Sequence, residues 1–196
     1  MTYHHGNLRE SLLQAAVQVL AEVGPAAFNL RSLARELGVS HTAPRHHFGD
    51  KRGVLTAVAA EGYELLGNRL KEAGNDFLAA GTAYVAFAMD HPGHFSVMFQ
   101  PELVDTADVR LISAQSALGH LLATGAAAHA QSTGRPLAEP TGASLPPYAL
   151  LAWSAAHGVA NLALSGSLTA LGQGAGREEL LESARAALRL LDPAAD

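Results

Sequence analysis

The sequence predicts an all-α protein, and three observations carry that prediction. Alanine and leucine dominate a chain of 196 residues that is 48% hydrophobic, and both are strong helix formers. Apolar residues recur at three- and four-residue spacing along most of the length, which is the period of a helix face and not of a strand. β-Branched runs are scarce and aromatics make up only 6%, so the material for sheets is thin. The length suffices for one good core or two modest ones.

The elements follow in order. Leu8, Leu12, Ala15, Ala16, Val19, Leu20 and Val23 form one face of a first helix over 7–23, stopped by Gly24-Pro25. Asn29, a good N-cap, opens a short second helix with Leu30, Leu33, Ala34 and Leu37 inward. Gly38 ends it, where a residue able to take positive φ is wanted. Ser40 is expected to cap a third helix through about Phe48. Gly49-Asp50 breaks that helix, and Asp50 caps a long fourth one from Lys51 to about Leu70. A helix over 76–90 is closed by His91-Pro92-Gly93, and a short apolar helix His94–Phe99 follows. A long helix then runs from about Thr106 to His129. Residues 132–147 are rich in Ser, Thr, Gly and Pro and read as a loop. Helices from Tyr148 to about Leu164 and from Arg177 to Leu191 complete the chain.

The absence of cysteine excludes a disulfide framework, a thiolate metal site and a cysteine nucleophile together. No charged-then-apolar leader and no apolar run of roughly 18 residues is present, so a cytoplasmic, soluble protein is expected. The net charge of −5 is unevenly placed. Residues 1–53 carry six cations against four anions, while the remainder carries seven against fourteen. Five of the ten histidines (His4, His5, His41, His46 and His47) also lie in that first segment. A local basic face, rather than the summed charge, is what attracts nucleic acid.

The decisive stretch is LRSLARELGVSHTAPRHHFGDK, residues 30–51. It reads as two short helices joined by a tight turn, with Leu33, Ala34, Leu37 and Val39 forming the wedge between them. The helix after the turn presents His41, Thr42, Arg45 and His46, side chains able to reach base edges and phosphates. A metal site from His41, His46 and His47 is disfavoured, because helical spacing splits them over two faces and only Asp50 lies near to complete it.

Residues 3–66 resemble the DNA-binding domain of the TetR (tetracycline repressor) family. The features that match are HHGNLRESLLQAA, the Gly-Pro before the second helix, LARELGVS, and HHFGDKRGVL. Ala43-Pro44, His47-Phe48 and Lys51 fit one branch of the family well. The resemblance implies a three-helix head with a linking helix (1–66) and a helical ligand-binding and dimerisation domain (67–196). It implies that Ser40 caps the recognition helix and that His41, Thr42, Arg45 and His46 face the major groove. Lys51, Asn29 and Arg31 would meet phosphates, and Phe48 would be core. Arg45 departs from the Tyr or Trp usual in the family, so sequence preference is expected to differ.

In the second half, LLAWSAAHGVANL, residues 150–162, resembles a Trp-His-Gly pattern in the C-terminal domain of the same branch. The family arrangement implies a dimer interface from this helix and the last one, with Trp153, His157, Gly158, Leu180, Leu181, Ala184, Leu188 and Leu191. A buried core helix is the competing reading. Candidate lining residues of an effector pocket are Phe77, Tyr84, Phe87, Phe95, Met98, Phe99, Leu118, Leu122 and Trp153, with Gln115 and His120 as polar contacts. An aromatic and methionine stripe at helical spacing is also what an ordinary core looks like. Lack of clustered charge points to a small apolar effector.

The function expected is therefore a ligand-responsive repressor that binds palindromic double-stranded operator DNA as a homodimer, with no cofactor and no membrane partner. The alternative is a ligand carrier or dimerisation protein on the same fold that does not bind DNA. An enzyme is disfavoured, since no nucleophile-elbow, phosphate-loop or metal-binding motif occurs.

Overall fold

The computed structural model describes residues 8–74, 76–134, 145–172 and 176–191. Among the described residues the chain forms ten α-helices, one 3-10 turn and no strand, as the composition and periodicity predict. By its internal contacts it divides into two units, residues 1–64 with 91–115, and residues 65–90 with 116–196.

In the first unit, α1 (Leu8–Ala27) buries Leu12, Leu13, Ala15, Ala16, Val19 and Leu20. Gly24 breaks its helical geometry at φ 70°, ψ 170°, and one further turn follows through Pro25. Val23, expected on the buried face, is half exposed at that break. In α2 (Leu30–Glu36) the Asn29 side chain accepts from the Ser32 amide at 2.9 Å, which supplies one orphan donor of the first turn. Leu33 and Ala34 are fully buried, while Leu37 and Val39 are only half-buried. Gly38 turns the chain at φ 65°.

The third helix, α3 (Ala43–Phe48), starts later than expected, and its N-cap is Thr42 rather than Ser40. Ser40 instead organises the preceding turn. Its Oγ accepts from the Thr42 amide at 3.3 Å and shares a 2.8 Å hydrogen bond with Thr42 Oγ1. Asp50 caps α4 (Lys51–Ala73) by accepting from the Gly53 amide at 2.9 Å. The last turns of α4, from Leu65, belong to the second unit.

The first unit is completed by α6 (Pro92–Met98), a 3-10 turn at Pro101–Leu103 and the first turns of α7 (Val109–Ser132). Pro92-Gly93 thus opens α6 instead of merely closing the helix before it. The 3-10 turn has no periodic signal to announce it. α6 packs along α1, and a Cβ at Gly93 would stand 2.1 Å from the Val17 carbonyl oxygen. Only glycine permits that approach. Tyr63 donates to the Met98 carbonyl at 2.6 Å. Buried His94 places Nε2 2.9 Å from Glu61 Oε2, and that hydrogen bond holds the Glu61 carboxyl below its ordinary range.

The second unit contains α5 (Phe77–Asp90), α8 (Pro147–Leu164), the short α9 (Ser167–Ala170), α10 (Arg177–Arg189) and the remainder of α4 and α7. Helix α9 is not foreshadowed in the sequence, because four residues carry no period. Helices α8 and α10 both pack on α5. Asp90 receives Arg69 at 2.9 Å and Arg177 at 2.8 Å. Burial opposes its ionisation, yet the two guanidinium groups prevail and hold its carboxyl below the ordinary range. Of the loop expected over 132–147, residues 135–144 lie outside the described residues.

Candidate functional site

The turn after α2, the capped starts of α2 and α4, and the start of α3 bring polar side chains onto one surface of the first unit. Asn29, Leu30, Arg31, His41, Thr42, Arg45, Asp50 and Lys51 line a single concavity there. Six of the eight residues expected to meet DNA are therefore brought together, from sequence positions spread over 23 residues. Asn29, Arg31, His41, Thr42 and Arg45 are exposed. Lys51 is half-buried and its ammonium donates to the Ala26 carbonyl at 3.4 Å. Arg31, Arg45 and Lys51 outweigh the one carboxylate, Asp50, which is already engaged as a cap. Ser40 and His46 lie outside the concavity, Ser40 bonded to Thr42 and His46 exposed with its ring edge-on to His47 at 5.2 Å.

Phe48 is half-buried rather than core, and the Arg9 guanidinium lies over its ring at 4.9 Å. Periodicity marks Phe48 as apolar but cannot show that α1 supplies a cation to cover it.

The second unit carries a partly open cavity of about 330 Å³. Phe77, Tyr84, Leu122 and Trp153 line it, as expected of them. The other expected lining residues do not reach it. Phe87 and Leu118 are buried in the unit's solid core, and His120 is exposed. Phe95 and Met98 are buried in the first unit, half-buried Phe99 packs edge-on to Tyr63 at 5.6 Å, and Gln115 is exposed. Helical spacing identifies an apolar face but not which apolar faces meet.

Small residues complete the wall: Ala80 and Gly81 on α5, Gly125 and Ala126 on α7, and Ala149, Ala152 and Ala156 on α8. Their signal in the sequence is the run of alanines around Trp153, which by itself suggests only close helix packing. Missing side chains also leave room for a guest.

Tyr84 and Trp153 of that wall belong to one hydrogen-bonded group with His157. Trp153 Nε1 donates to the Tyr84 oxygen at 3.1 Å, and the Tyr84 hydroxyl shares a 2.8 Å hydrogen bond with His157 Nδ1. Burial pushes the His157 pKa below its ordinary range, favouring the neutral ring. Near the cavity, the rings of Phe77, His129 and Tyr148 stack on one another at 4.6 to 5.8 Å.

The residues expected at a dimer interface divide in two. Leu180, Ala184 and Leu188 are buried inside the unit, and Leu181 and Leu191 are half-buried. Trp153 and His157 bond to Tyr84 on the inward face of α8. Gly158 is exposed. The outward face of α8 carries Leu150, Leu151 and Leu162, each 45–50% exposed, in line with Ser154 and Gly158. No helix among the described residues is long and apolar enough to cross a membrane.

Comparison with known proteins bears on the family and the fold. Residues 12–58 match the model described as bacterial regulatory proteins, tetR family, and residues 77–188 match the tetracyclin repressor-like C-terminal domain. A solved protein of unknown function from Rhodococcus sp. RHA1 is 34% identical, with 98% of this chain and 99% of that one covered and a TM-score of 0.72. The TetR family regulator PfmR from Thermus thermophilus shares the fold at 20% identity and TM-score 0.60, over 92% and 96% of the two chains. The HTH-type transcriptional regulator BetI of Stenotrophomonas maltophilia (strain R551-3) is 33% identical over 72 residues. That match covers 35% of this chain and 37% of BetI.

Proposed function

This chain belongs to the TetR family of DNA-binding transcriptional regulators, which are not enzymes, and we propose that it acts as a cytoplasmic, ligand-released repressor working as a homodimer. The observation that carries this reading is the concavity of the first unit. Asn29, Arg31, His41, Thr42, Arg45 and Lys51 converge there with polar ends and a net positive charge. Arg45 and His41 are the base-reading candidates. Lys51, Asn29 and Arg31 position the head on phosphates, together with the amides that open α4 and α2.

The second copy is met through the outward leucines of α8, Leu150, Leu151 and Leu162 around Gly158. Buried Leu180, Ala184 and Leu188 support that face from within. A two-fold dimer places two recognition helices in successive major grooves about 34–36 Å apart, and its operator is a palindrome.

Release follows from α4. Leu70 lines the cavity and Lys51 lines the concavity, and both belong to this one helix. An effector that binds one position of α4 better than another shifts the population of heads able to dock.

The test is selection of fragments from the source genome by the purified protein, at low and moderate salt. Enrichment of a short palindrome supports the repressor reading, most directly one upstream of this gene or its neighbour. Failure to enrich any sequence at low salt, where phosphate contacts are strongest, overturns it once ligand-stripped, refolded protein gives the same result.

A further inference from the structure

We propose that the cavity of the second unit takes a neutral, largely hydrocarbon molecule carrying a single hydroxyl or carbonyl group, and that Tyr84 receives that group. The proposal rests on the reading of this cavity as the effector site and names the chemistry of the occupant.

The lining decides the charge. Among the described residues Asp76 is its one charged member, and it is exposed, with its Oδ1 already accepting from the Ala79 amide at 2.8 Å. No described lysine, arginine or histidine lines the cavity. Among the described residues a carboxylate or phosphate would find no counter-charge in this mainly apolar lining, and an ammonium none beyond the exposed rim; either is disfavoured. Phe77, Leu122, Trp153, Leu188 and the alanines offer hydrocarbon instead.

The lining also decides the polar group. Thr124 is exposed and donates to its own helix at His120, 2.9 Å away. Among the described lining residues the Tyr84 hydroxyl is a polar side-chain group in the buried part of the wall. Tyr84 is 2% exposed. Its position is set from two sides, by the Trp153 indole and the His157 ring. Trp153 already donates to the Tyr84 oxygen, so the bond to His157 Nδ1 decides what a guest meets. An alcohol, which can donate or accept, suits either tautomer of that ring, whereas a ketone requires the one in which Nδ1–H donates to Tyr84. The volume of about 330 Å³ is at the lower end of small-molecule sites.

Trp153 is the sole tryptophan of the chain and forms part of the wall, so its emission reports occupation directly. The experiment titrates the full-length protein with 1-decanol, 2-decanone, decanoate and decylammonium, which share a chain and differ in the end group. The alcohol and the ketone are expected to change the Trp153 emission with Kd values roughly tenfold or more below those of both ions. Tyr84→Phe should weaken the alcohol by about two- to tenfold, the loss of one neutral hydrogen bond. Ala152→Leu should fill the cavity and abolish the response while the protein still melts cooperatively.

Equal or tighter binding of either ion overturns the proposal, as does silence toward all four probes. Undiminished binding by folded Ala152→Leu overturns it too; if that variant does not fold, Ala80→Leu is used in its place. Because the emission is read without DNA, failure here is distinct from failure of the repressor reading, which appears only in fragment selection.

Discussion

The hydroxyl of Tyr84 on α5 lies 2.8 Å from Nδ1 of His157 on α8, in a site whose burial favours the neutral ring. That burial holds His157 below its ordinary pKa range. Between that lowered value and about 6.5, where an unperturbed histidine titrates, the unfolded chain binds more protons than the folded one. Stability from this site is therefore complete above the ordinary histidine range and is lost as the pH falls through it. Thermal midpoints measured from about pH 7.5 down to about 5.5 should decline, and the decline should be shallower in His157→Gln. An equally steep profile in that variant would remove His157 from the account.

Gly93 is a close approach of α6 to α1. A Cβ there meets the backbone of Val17 and not the movable end of a side chain, so the two helices would have to separate. Gly93→Ala should cost about 1–3 kcal/mol, as overpacking does, read as a lower urea midpoint at unchanged m-value. Gly119 is the control. It lies within α7 with nothing near its missing Cβ, and Gly119→Ala should be neutral or stabilising by up to about 1 kcal/mol.

Asn29 has a structural role as well as a proposed phosphate contact. Its side chain accepts from the Ser32 amide and caps α2. Asn29→Ala should cost about 1 kcal/mol of stability, whereas Asn29→Ser should keep the cap. Calorimetry on the two variants without DNA isolates the cap; a melting point unchanged in Asn29→Ala would show that α2 does not need it.

Arg45 and Lys51 carry the proposed grip on DNA. Replacing both with alanine should leave the melting point nearly unchanged, since Arg45 is exposed and Lys51 makes only a long 3.4 Å hydrogen bond to a carbonyl. Operator affinity should fall, and the slope of log K against log salt should become shallower by about 1 for each phosphate no longer neutralised. Unchanged affinity and slope in the double variant would favour a ligand carrier that does not use this surface for DNA.

Much of the first unit is legible in the sequence because its signals are local. A cap, a turn glycine and a short apolar stripe each act within a few residues, so Asn29, Gly38 and Asp50 declare themselves. The start of α3 is ambiguous for an equally local reason. Ser40 and Thr42 are both good caps, and their mutual hydrogen bond makes Ser40 part of the turn instead. The second unit is less legible. Phe87, Phe95 and Leu118 have the same composition signal as Phe77 and Leu122, yet only the latter two line the cavity.

The sequence by itself determined the all-helical class, the helix-turn-helix with the caps at Asn29 and Asp50, and the polar residues that face outward from it. Helical period and capping chemistry act through neighbours along the chain. Only the tertiary structure decided that residues 91–115 return to the first unit, that Arg9 covers Phe48, and that Tyr84, Trp153 and His157 form one hydrogen-bonded group. It also decided which alanines leave a cavity and which leucines of α8 remain outside. Those outcomes depend on which apolar faces meet, and the energy of packing between distant segments is written in neither segment alone.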